Sequence, residues 1–526
     1  MLTLSWPYIG SQSYLIFFAF IPLLLAELRI SAFSRRRKGL KVFLHSYLTF
    51  LLFNYWTTWW IKLASPGGMV LAVVFNALFM SLVFLAFHFT KRSINHRVGY
   101  WSLIIYWLGF EYLHTNWELS WIWLNLGNVF SNDVTWIQWY EYTGTGGGTA
   151  WILMVNVLAF SILKFFVLDK LRGRRFIIWP LGFLILLFVP IAFSIHRYHS
   201  YVEEENAVEV VVLQPNIDPY NDKFSGMSEQ EQIDKLMNLA YATATDETEL
   251  IFGPETAFPM SYWESDLEKT YGLFKVREFQ EKFPRPRFIV GLTSIRLYGK
   301  GDSPSVTARP IGDGSGRYYD YYNSVIQINP GSGFDIYRKS KLVLGVEKMP
   351  FAGNLKFLES LAIELGGSSG SLGVEGRPVV FESKTADNRN LSVIPAICYE
   401  SIYGAYLAEF ARKGANLIGV VTNDGWWGNT PGYWQHLSYS RLRAIELRRD
   451  VARSANTGIS AFINQRGDIT KQSEWWTADA LRANVNLNDE LTLFARYGDY
   501  PGRTAAFFSV LLFVWAWVKR LRGKVF

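Results

Sequence analysis

Cys398, in the segment SVIPAICYES (392–401), is the only cysteine among the 526 residues of the chain. A thiol with its usual pKa of about 8.5 is mostly protonated at neutral pH, so it becomes a nucleophile only beside a base or a cation. A buried, inert thiol is the alternative, because free cysteine is among the residue types most often buried. The chemistry of Cys398 therefore depends on the side chains brought beside it.

Two kinds of partner for this thiol are present. A cysteine–histidine pair is one, because His436 is the only histidine after residue 200. A carboxylate with a lysine is the other: Glu255 and Glu400 are carboxylates at strand ends, and Lys339 and Lys341 are lysines near apolar turns. Neither a bound metal nor a cofactor is expected, because the sequence has no HExxH motif or other metal-ligand spacing. Spacing alone leaves both kinds of partner open.

The elements that would position these side chains lie in an α/β segment between about 200 and 500. Short β-type runs recur there, at 207–214, 249–255, 287–294, 323–329, 377–383, 391–398, 416–423 and 458–464. Helical patterns at 231–244 and 404–414 separate some of them, and a Gly-rich loop follows at 366–376. The alternation predicts layers of buried strands and helices, with Glu255 and Cys398 at strand ends.

The remaining chain is rich in apolar runs, and about 20 mostly apolar residues suffice for one membrane-spanning helix. Seven candidate runs occur, at 11–28, 42–61, 69–90, 100–113, 150–168, 176–195 and 504–518. Together they predict a multi-span bundle and not seven buried core helices. The expected domains are a transmembrane bundle of about six spans at 1–198, a catalytic domain at 204–497, and a C-terminal transmembrane helix with a basic cytoplasmic tail at 502–526.

Basic residues in four short loops predict the orientation of the bundle. The clusters, at 35–41, 91–97, 169–175 and 519–524, follow alternate runs and so lie on one side, the cytoplasm. The catalytic domain is then extracytoplasmic. Met1 also starts outside, so we expect the opening MLTLSWPYIG to be the tail of a hydrophobic segment or to lie downstream of the natural start.

The four basic clusters hold 16 Lys and Arg and one Asp, which gives them a net charge of +15, whereas the whole chain has +7. The rest of the chain is therefore acidic, which excludes a nucleic-acid partner.

The segment 116–150 contains tryptophans that suit the headgroup layer of a membrane. An aromatic belt is one interpretation, and a rim for lipid entry is the other. Its GTGGGT run (144–149) lacks the Lys-Ser/Thr ending of a phosphate loop. We expect that run to be a turn that lets helices approach closely.

The order of the motifs resembles a known family. GPET at Glu255, YRKSKL at Lys339 with Glu347 eight residues beyond, and AICYES at Cys398 are similar to the Glu-Lys-Cys signature of the nitrilase superfamily. YYNSVIQI before the lysine, and TNDGWWGNTPGYWQHLSYSRLRAIELRR and RSANTGIS after the cysteine, extend the similarity. With the spans included, the chain resembles the apolipoprotein N-acyltransferases, the membrane-bound members of that superfamily.

The resemblance implies roles for the matching residues. Cys398 matches the nucleophile that carries an acyl chain as a thioester, Glu255 the general base, and Lys339 the group that stabilises the oxyanion. A carboxylate and an ammonium beside a thiol suit this chemistry, because they help form the thiolate and hold charge on the tetrahedral intermediate. The residues expected to support or line the site are Glu347, Tyr399, Glu400, Asn323, Phe224, Trp426 and Trp427. His436 is expected to be a hydrogen-bonded structural residue.

Two segments depart from the family's pattern. LVLGVE (342–347) stands where the family usually has LVPFGE, so a proline is lost while the spacing to Glu347 is kept. Phe224 stands where the family often has tryptophan, which is a smaller aromatic side chain for lipid contact.

The implied fold is a membrane bundle plus an extracytoplasmic nitrilase-like α-β-β-α sandwich, in the bacterial inner (cytoplasmic) membrane. The implied reaction transfers a fatty acyl chain from a glycerophospholipid, through a cysteine thioester, to the N-terminal amine of a diacylglyceryl-modified apolipoprotein, and a monomer is expected to perform it. The alternatives are a membrane-tethered amidase or hydrolase, in which water resolves the thioester, and an inactive lipoprotein-binding scaffold. The complete set of catalytic residue types disfavours the scaffold, and the spans favour a lipid substrate.

Overall fold

The computed structural model describes residues 1–168, 175–223, 226–299, 301–331, 333–348 and 371–522. The chain forms two compact units. The helical unit consists of Met1–Lys62, Pro66–Tyr201 and Tyr497–Phe526, and the α/β unit consists of Leu63–Ser65 and Val202–Arg496. Phe224, most of the basic cluster 169–175 and part of the Gly-rich loop 366–376 lie outside the described residues.

The helices of the described residues are numbered in chain order. They are α1 (Leu2–Ser5), α2 (Ile21–Phe33), α3 (Lys38–Thr58), α4 (Ile61–Ala64), α5 (Pro66–Ser93), α6 (His96–His114), α7 (Tyr140–Ile162), α8 (Arg175–Ser200), α9 (Glu229–Thr243), α10 (Tyr271–Lys282), α11 (Gly404–Arg412), α12 (Pro431–Leu447), α13 (Leu493–Tyr497) and α14 (Tyr500–Arg522).

Five helical stretches among the described residues are long and apolar enough to cross a membrane. They are Ser13–Phe33, Pro66–Ser93, Tyr140–Phe166, Ile177–Ser200 and Tyr500–Arg522. Each coincides with one of the seven predicted runs. The other two runs form α3 and α6, which are helical but are not among the five.

Glu27, His88 and Lys91 form a cluster of titratable side chains inside the helical unit. The Oε1 atom of Glu27, on α2, lies 2.6 Å from Nδ1 of His88, on α5. Lys91, one turn further along α5, forms an ion pair with the same carboxylate. An unpaired charge in an apolar bundle is costly, so this cluster holds α2 against α5.

The GTGGGT run is non-helical only at Gly144, so the predicted turn is limited to this first glycine and the rest of the run is helical. The helix bends at Gly144, whose φ is 63°, and then continues through the remaining glycines. Their small size still permits a close approach, because a Cβ atom added to Gly148 would lie 1.9 Å from the hydroxyl oxygen of Tyr140 and 3.1 Å from the Cα atom of Gly127. The tryptophans of this segment divide: Trp123 is buried, with its ring 5.0 Å from that of Trp60, whereas other members remain partly exposed.

The strands of the described residues all lie in the α/β unit. They are β1 (Ala207–Gln214), β2 (Thr248–Phe252), β3 (Phe258–Trp263), β4 (Arg287–Leu297), β5 (Arg309–Pro310), β6 (Tyr318–Ile328), β7 (Phe334–Arg338), β8 (Phe381–Lys384), β9 (Asn390–Ile397), β10 (Leu417–Thr422), β11 (Val451–Ala455), β12 (Ala461–Ile463), β13 (Ile469–Gln472) and β14 (Asp479–Asn486).

Two mixed sheets form the centre of the α/β unit. The eight-stranded sheet has the order β14-β1-β2-β4-β6-β5, with β3 added beside β4 and β7 beside β6. The six-stranded sheet has the order β13-β12-β11-β10-β9-β8. In each sheet a parallel core, β1-β2-β4 and β9-β10-β11, is flanked by antiparallel strands.

The two sheets pack face to face between helices. On the outer face of the eight-stranded sheet, Val211 and Ile251 share a core with Leu236 of α9 and Phe279 of α10. Between the sheets the contact is so close that a Cβ atom added to Gly419, on β10, would lie 2.3 Å from the ring of Phe252, on β2. Helices α11 and α12 contact the six-stranded sheet. These layers confirm the predicted α-β-β-α sandwich.

Parallel pairing brings several strand ends to one edge. In the β9–β10 ladder Ile397 pairs with Val421, so Cys398, which follows β9, lies level with Thr422, the last residue of β10. Glu255 follows β2 and hydrogen-bonds from its backbone N–H to the carbonyl of Thr422 (3.4 Å). This edge of the sandwich carries the candidate site.

Candidate active site

Cys398 occupies a strained turn between a strand and a helix. It directly follows β9, begins a short 3₁₀ helix (Cys398–Ile402), and has a φ of 48°, in the left-handed region. A non-glycine residue there costs about 1–3 kcal/mol, so the surroundings must hold the conformation. The Cys398 carbonyl accepts a hydrogen bond from Ser401 Oγ (2.7 Å) and lies 3.1 Å from Nε2 of His436. The thiol is thus placed on a sharp turn, as a nucleophile requires.

Glu255 and Lys339 meet beside this thiol. Lys339 follows β7 and is 1% exposed, and its Nζ atom lies 3.5 Å from Oε1 of Glu255. The same ammonium donates to Oε1 of Glu347 at 2.8 Å. Glu347 in turn accepts the backbone N–H of Val343 at Oε2 (2.8 Å), which fixes the LVLGVE loop to the lysine.

Asn323, on β6, joins the two carboxylates. Its Nδ2 atom donates to Oε1 of Glu255 (2.7 Å) and to Oε1 of Glu347 (2.8 Å), and its carbonyl accepts the backbone N–H of Lys339 (2.8 Å). Because both amide hydrogens are used, the orientation of this side chain is determined by its partners. Asn323 therefore holds the base, the lysine and the second glutamate in one arrangement.

The charges of this cluster control protonation. Burial lowers the pKa of Lys339, but the carboxylates of Glu347 and Glu255 outweigh it, so that the pKa is raised and the ammonium stays charged. Burial and the nearby Glu255 carboxylate raise the pKa of the Cys398 thiol, and Lys339 opposes them only in part. The resting thiol is therefore protonated, and it needs a base at the moment of reaction.

Glu400 lies in the protein interior, where it supports the loop that carries the lysine. Its Oε1 atom accepts hydrogen bonds from Tyr337 Oη (2.7 Å) and from the backbone N–H groups of Ser340 (2.6 Å) and Lys341 (3.0 Å). Burial raises its pKa, which these donors oppose. Lys341, the other candidate lysine, is turned away, with its Nζ atom 5.2 Å from the ring centre of Tyr406.

The other predicted residues differ in placement. Tyr399 is buried and packs edge-on against Tyr403, with ring centres 5.2 Å apart. Trp426 and Trp427 are half-buried in a 3₁₀ turn, Asp424–Trp427, beside the end of β10. The structure thus brings Cys398, Glu255 and Lys339 together, while Phe224 lies outside the described residues.

Sequence reasoning missed a buried charged network behind the nucleophile. Asp424 accepts from Thr422 Oγ1 (2.9 Å) and from Arg453, and its Oδ1 atom lies 2.9 Å from Nδ1 of His436. Burial raises the pKa of Asp424, but the charges of Arg453 and His436 lower it to about 2. The prediction that His436 is a hydrogen-bonded structural residue agrees with this geometry. The TND and ARSA motifs that carry Asp424 and Arg453 offered the only sequence signal.

Lys223 was also missed. It is 4% exposed and donates from Nζ to the carbonyl of Glu255 (3.2 Å). Burial lowers its pKa to about 8, against the attraction of Glu255. A second buried cation therefore lies behind the candidate base.

This arrangement can perform nucleophilic acyl chemistry without a metal. Within the described residues, no group of three His, Cys, Asp or Glu side chains could hold a metal ion. A thiol on a strained turn, a carboxylate with a free acceptor position and a fixed ammonium are the parts required for a covalent acyl intermediate.

Both the N-terminal part and the α/β part of the chain match known protein families. Residues 201–490 match the carbon-nitrogen hydrolase family, and residues 1–158 match the apolipoprotein N-acyltransferase N-terminal domain. An apolipoprotein N-acyltransferase of Chlorobaculum tepidum is 30% identical over 503 residues, which cover 94% of this chain and 90% of the relative. Another, of Geobacter metallireducens, is 27% identical over 513 residues, with 95% and 90% covered. A solved CN-hydrolase superfamily protein of Xanthomonas campestris is 14% identical, with 53% of this chain and 91% of that chain covered and a TM-score of 0.34.

Proposed function

Because the chain belongs to the apolipoprotein N-acyltransferase family, it is an acyltransferase that modifies lipoproteins, and we propose that Cys398, Glu255 and Lys339 perform the transfer. One observation carries these roles: a buried lysine, whose pKa is raised by two carboxylate neighbours, contacts Glu255 beside the only thiol of the chain. A base and a cation at one thiol support transfer in two half-reactions, with a thioester between them.

In the first half-reaction Glu255 takes the proton of Cys398. Its Oε1 atom already accepts from Asn323 and Lys339, whereas among the described residues Oε2 accepts only from the backbone N–H of Asn423 (3.2 Å). Since a carboxylate oxygen has two acceptor positions, the proton goes to Oε2. The thiolate then attacks an ester carbonyl of a glycerophospholipid, the ester C–O bond breaks, and Glu255 returns the proton to the departing lysophospholipid.

In the second half-reaction the N-terminal amine of a diacylglyceryl-cysteine attacks the thioester. Glu255 accepts the amine proton, the C–S bond breaks, and Glu255 passes the proton to the departing sulfur, which regenerates the Cys398 thiol. In both tetrahedral intermediates the negative oxygen is stabilised by Lys339, which Glu347 and Asn323 keep in place. Loss of such a donor costs on the order of a hundredfold or more in rate.

The chain is a membrane protein, and we propose the bacterial inner membrane as its location, with the α/β unit on the extracytoplasmic side. The four basic clusters support this orientation, because cytoplasmic loops carry the excess of Lys and Arg. Every side chain of the proposed machinery comes from one copy of the chain, so a monomer suffices. The membrane supplies both the phospholipid donor and the diacylglyceryl-anchored acceptor.

The test of the mechanism is the mass of the Cys398 peptide. Without an acceptor the reaction stalls, so the peptide gains one fatty acyl group in the presence of phospholipid, and neutral hydroxylamine removes it. We expect Cys398→Ala to carry no adduct and Cys398→Ser to load very slowly, because a hydroxyl ionises far less readily than a thiol. A hydrolase would instead release free fatty acid when no amine is present. Normal lipopeptide acylation by Cys398→Ala would overturn the assignment.

The test of the orientation uses a single engineered thiol in a Cys398→Ala background. Ser303 is exposed in the α/β unit, and Arg36 is exposed in a basic cluster of the helical unit. A membrane-impermeant maleimide should label Ser303→Cys in intact spheroplasts and label Arg36→Cys only after lysis. The reverse pattern would contradict the extracytoplasmic placement.

A further inference from the structure

The carbonyl group of the nucleophile is held by a chain of buried residues that reaches β11. His436, on α12, contacts the Cys398 carbonyl through Nε2 (3.1 Å) and the Oδ1 atom of Asp424 through Nδ1 (2.9 Å). The other oxygen of Asp424 accepts from Arg453, on β11. All three residues are fully buried, so no solvent competes for their contacts.

Asp424 also reaches the nucleophile from a second direction. Its Oδ1 atom accepts from the hydroxyl of Thr422 (2.9 Å), the residue that stands level with Cys398 on the neighbouring strand. Packing around the carboxylate is tight, because a Cβ atom added to Gly458 would lie 2.8 Å from its Oδ2 atom. The carboxylate is therefore fixed while it contacts both the imidazole of His436 and the hydroxyl of Thr422.

We propose that Asp424 is a positioning residue that acts through His436 to hold the left-handed turn of Cys398. This inference rests on the proposed function of Cys398 as the nucleophile. A φ of 48° is unfavourable for cysteine, and the His436 contact is one of two that the Cys398 carbonyl receives from side chains among the described residues. When Asp424 no longer orients the ring, the carbonyl loses this partner and the thiol leaves its line of attack.

The experiment is a double-mutant cycle on the full chain with Asp424→Asn and His436→Gln, two substitutions that preserve size. Thioester formation on Cys398 is measured against phospholipid concentration. We expect each single variant to lower the loading rate at saturating phospholipid about tenfold or more, with the half-saturating concentration unchanged. The double variant should lose no more than the worse single variant, since coupled residues are not additive.

A structural role without positioning gives a different pattern. Independent losses of stability would multiply in the double variant, and that result would overturn the inference, as would loading by Asp424→Asn within twofold of the unmodified protein. Asp450→Asn is the matched control, because Asp450 is also a buried aspartate (5% exposed) but contacts the backbone of Asn486. We expect it to load at the normal rate.

A single variant and a lipid-free assay complete the test. If Asp424→Asn does not accumulate as folded protein, His436→Gln alone decides, and normal loading by that variant overturns the proposal. The rate at which iodoacetamide alkylates Cys398 is also measured for the same variants, because this reaction needs no lipid. A chain that forms no thioester would contradict the proposed function, while additivity or coupling in the alkylation rates would still decide the role of Asp424.

Discussion

Glu400 accepts the backbone N–H of Ser340 at 2.6 Å and so joins the segment that carries the nucleophile to the segment that carries the lysine. Ser340 directly follows Lys339, and Glu400 lies two residues after Cys398. The other carboxylate oxygen accepts the backbone N–H of Ile397 (3.1 Å), at the end of β9. The two parts of the site that lie on different sheets are therefore fixed to one buried side chain.

Glu400→Gln should weaken this link. A glutamine has one acceptor oxygen, so either Ser340 or Ile397 loses its partner, and an unpaired buried N–H group costs about 1–3 kcal/mol. We expect thioester loading to fall about tenfold or more and the unfolding temperature to drop, measured by peptide mass and by tryptophan fluorescence. Glu382→Gln, on an exposed position of β8, is the control and should change neither quantity. Loading at the normal rate by Glu400→Gln would contradict the expected link.

Glu347→Gln should impair catalysis through Lys339. Glu347 uses one oxygen for the ammonium (2.8 Å) and the other for the N–H of Val343 (2.8 Å), and an amide serves only one of these as acceptor. Either the lysine or the LVLGVE loop is then released. We expect acyl transfer to a lipopeptide to fall about tenfold or more while the amount of folded protein stays the same. Near-normal turnover would show that Glu347 does not support the site.

Lys223→Met should change how stability depends on pH. Because burial lowers the Lys223 pKa to about 8 and the unfolded chain has a value of about 10.4, the unfolded state binds more protons between these limits. The contribution of Lys223 to stability therefore rises with pH from about 8 to about 10.4, and below pH 8 its full burial cost is present. We expect Lys223→Met to raise the unfolding temperature at pH 7. We also expect it to abolish the increase in stability between about pH 8 and about pH 10.4. A destabilised Lys223→Met protein would show instead that its contact with the Glu255 carbonyl outweighs the cost.

The sequence predicted the parts of the site that follow continuous apolar runs. Glu255 and Cys398 come after β2 and β9, whose residues are almost entirely buried. Each strand therefore appears in the sequence as a continuous apolar run with a recognisable end. Lys339 follows β7, a strand with exposed and half-buried positions that no apolar run reveals. The residues alone made it one of two candidate lysines, the family resemblance selected it over Lys341, and its contacts with Asn323 and Glu347 required the structure.

The network behind the nucleophile could not be read in this way. Helix α12 was not predicted, because it buries polar residues such as Gln435, His436 and Arg443 beside its apolar ones, and so it has no apolar stripe. Asp424 and Arg453 are charged, and charged residues are ordinarily assigned to the surface. Their burial is explained only by the three-dimensional structure, in which the end of β10, β11 and α12 lie close together.

The left-handed conformation of Cys398 sets stability and activity against each other at one position. Glycine adopts a φ of 48° without a steric cost, so the backbone alone favours Cys398→Gly, which has no sulfur. Improvement of this protein by selection for melting temperature would consequently tend to erase its activity at residue 398. A library intended to yield a sturdier catalyst must hold that residue constant and search for stabilising changes elsewhere.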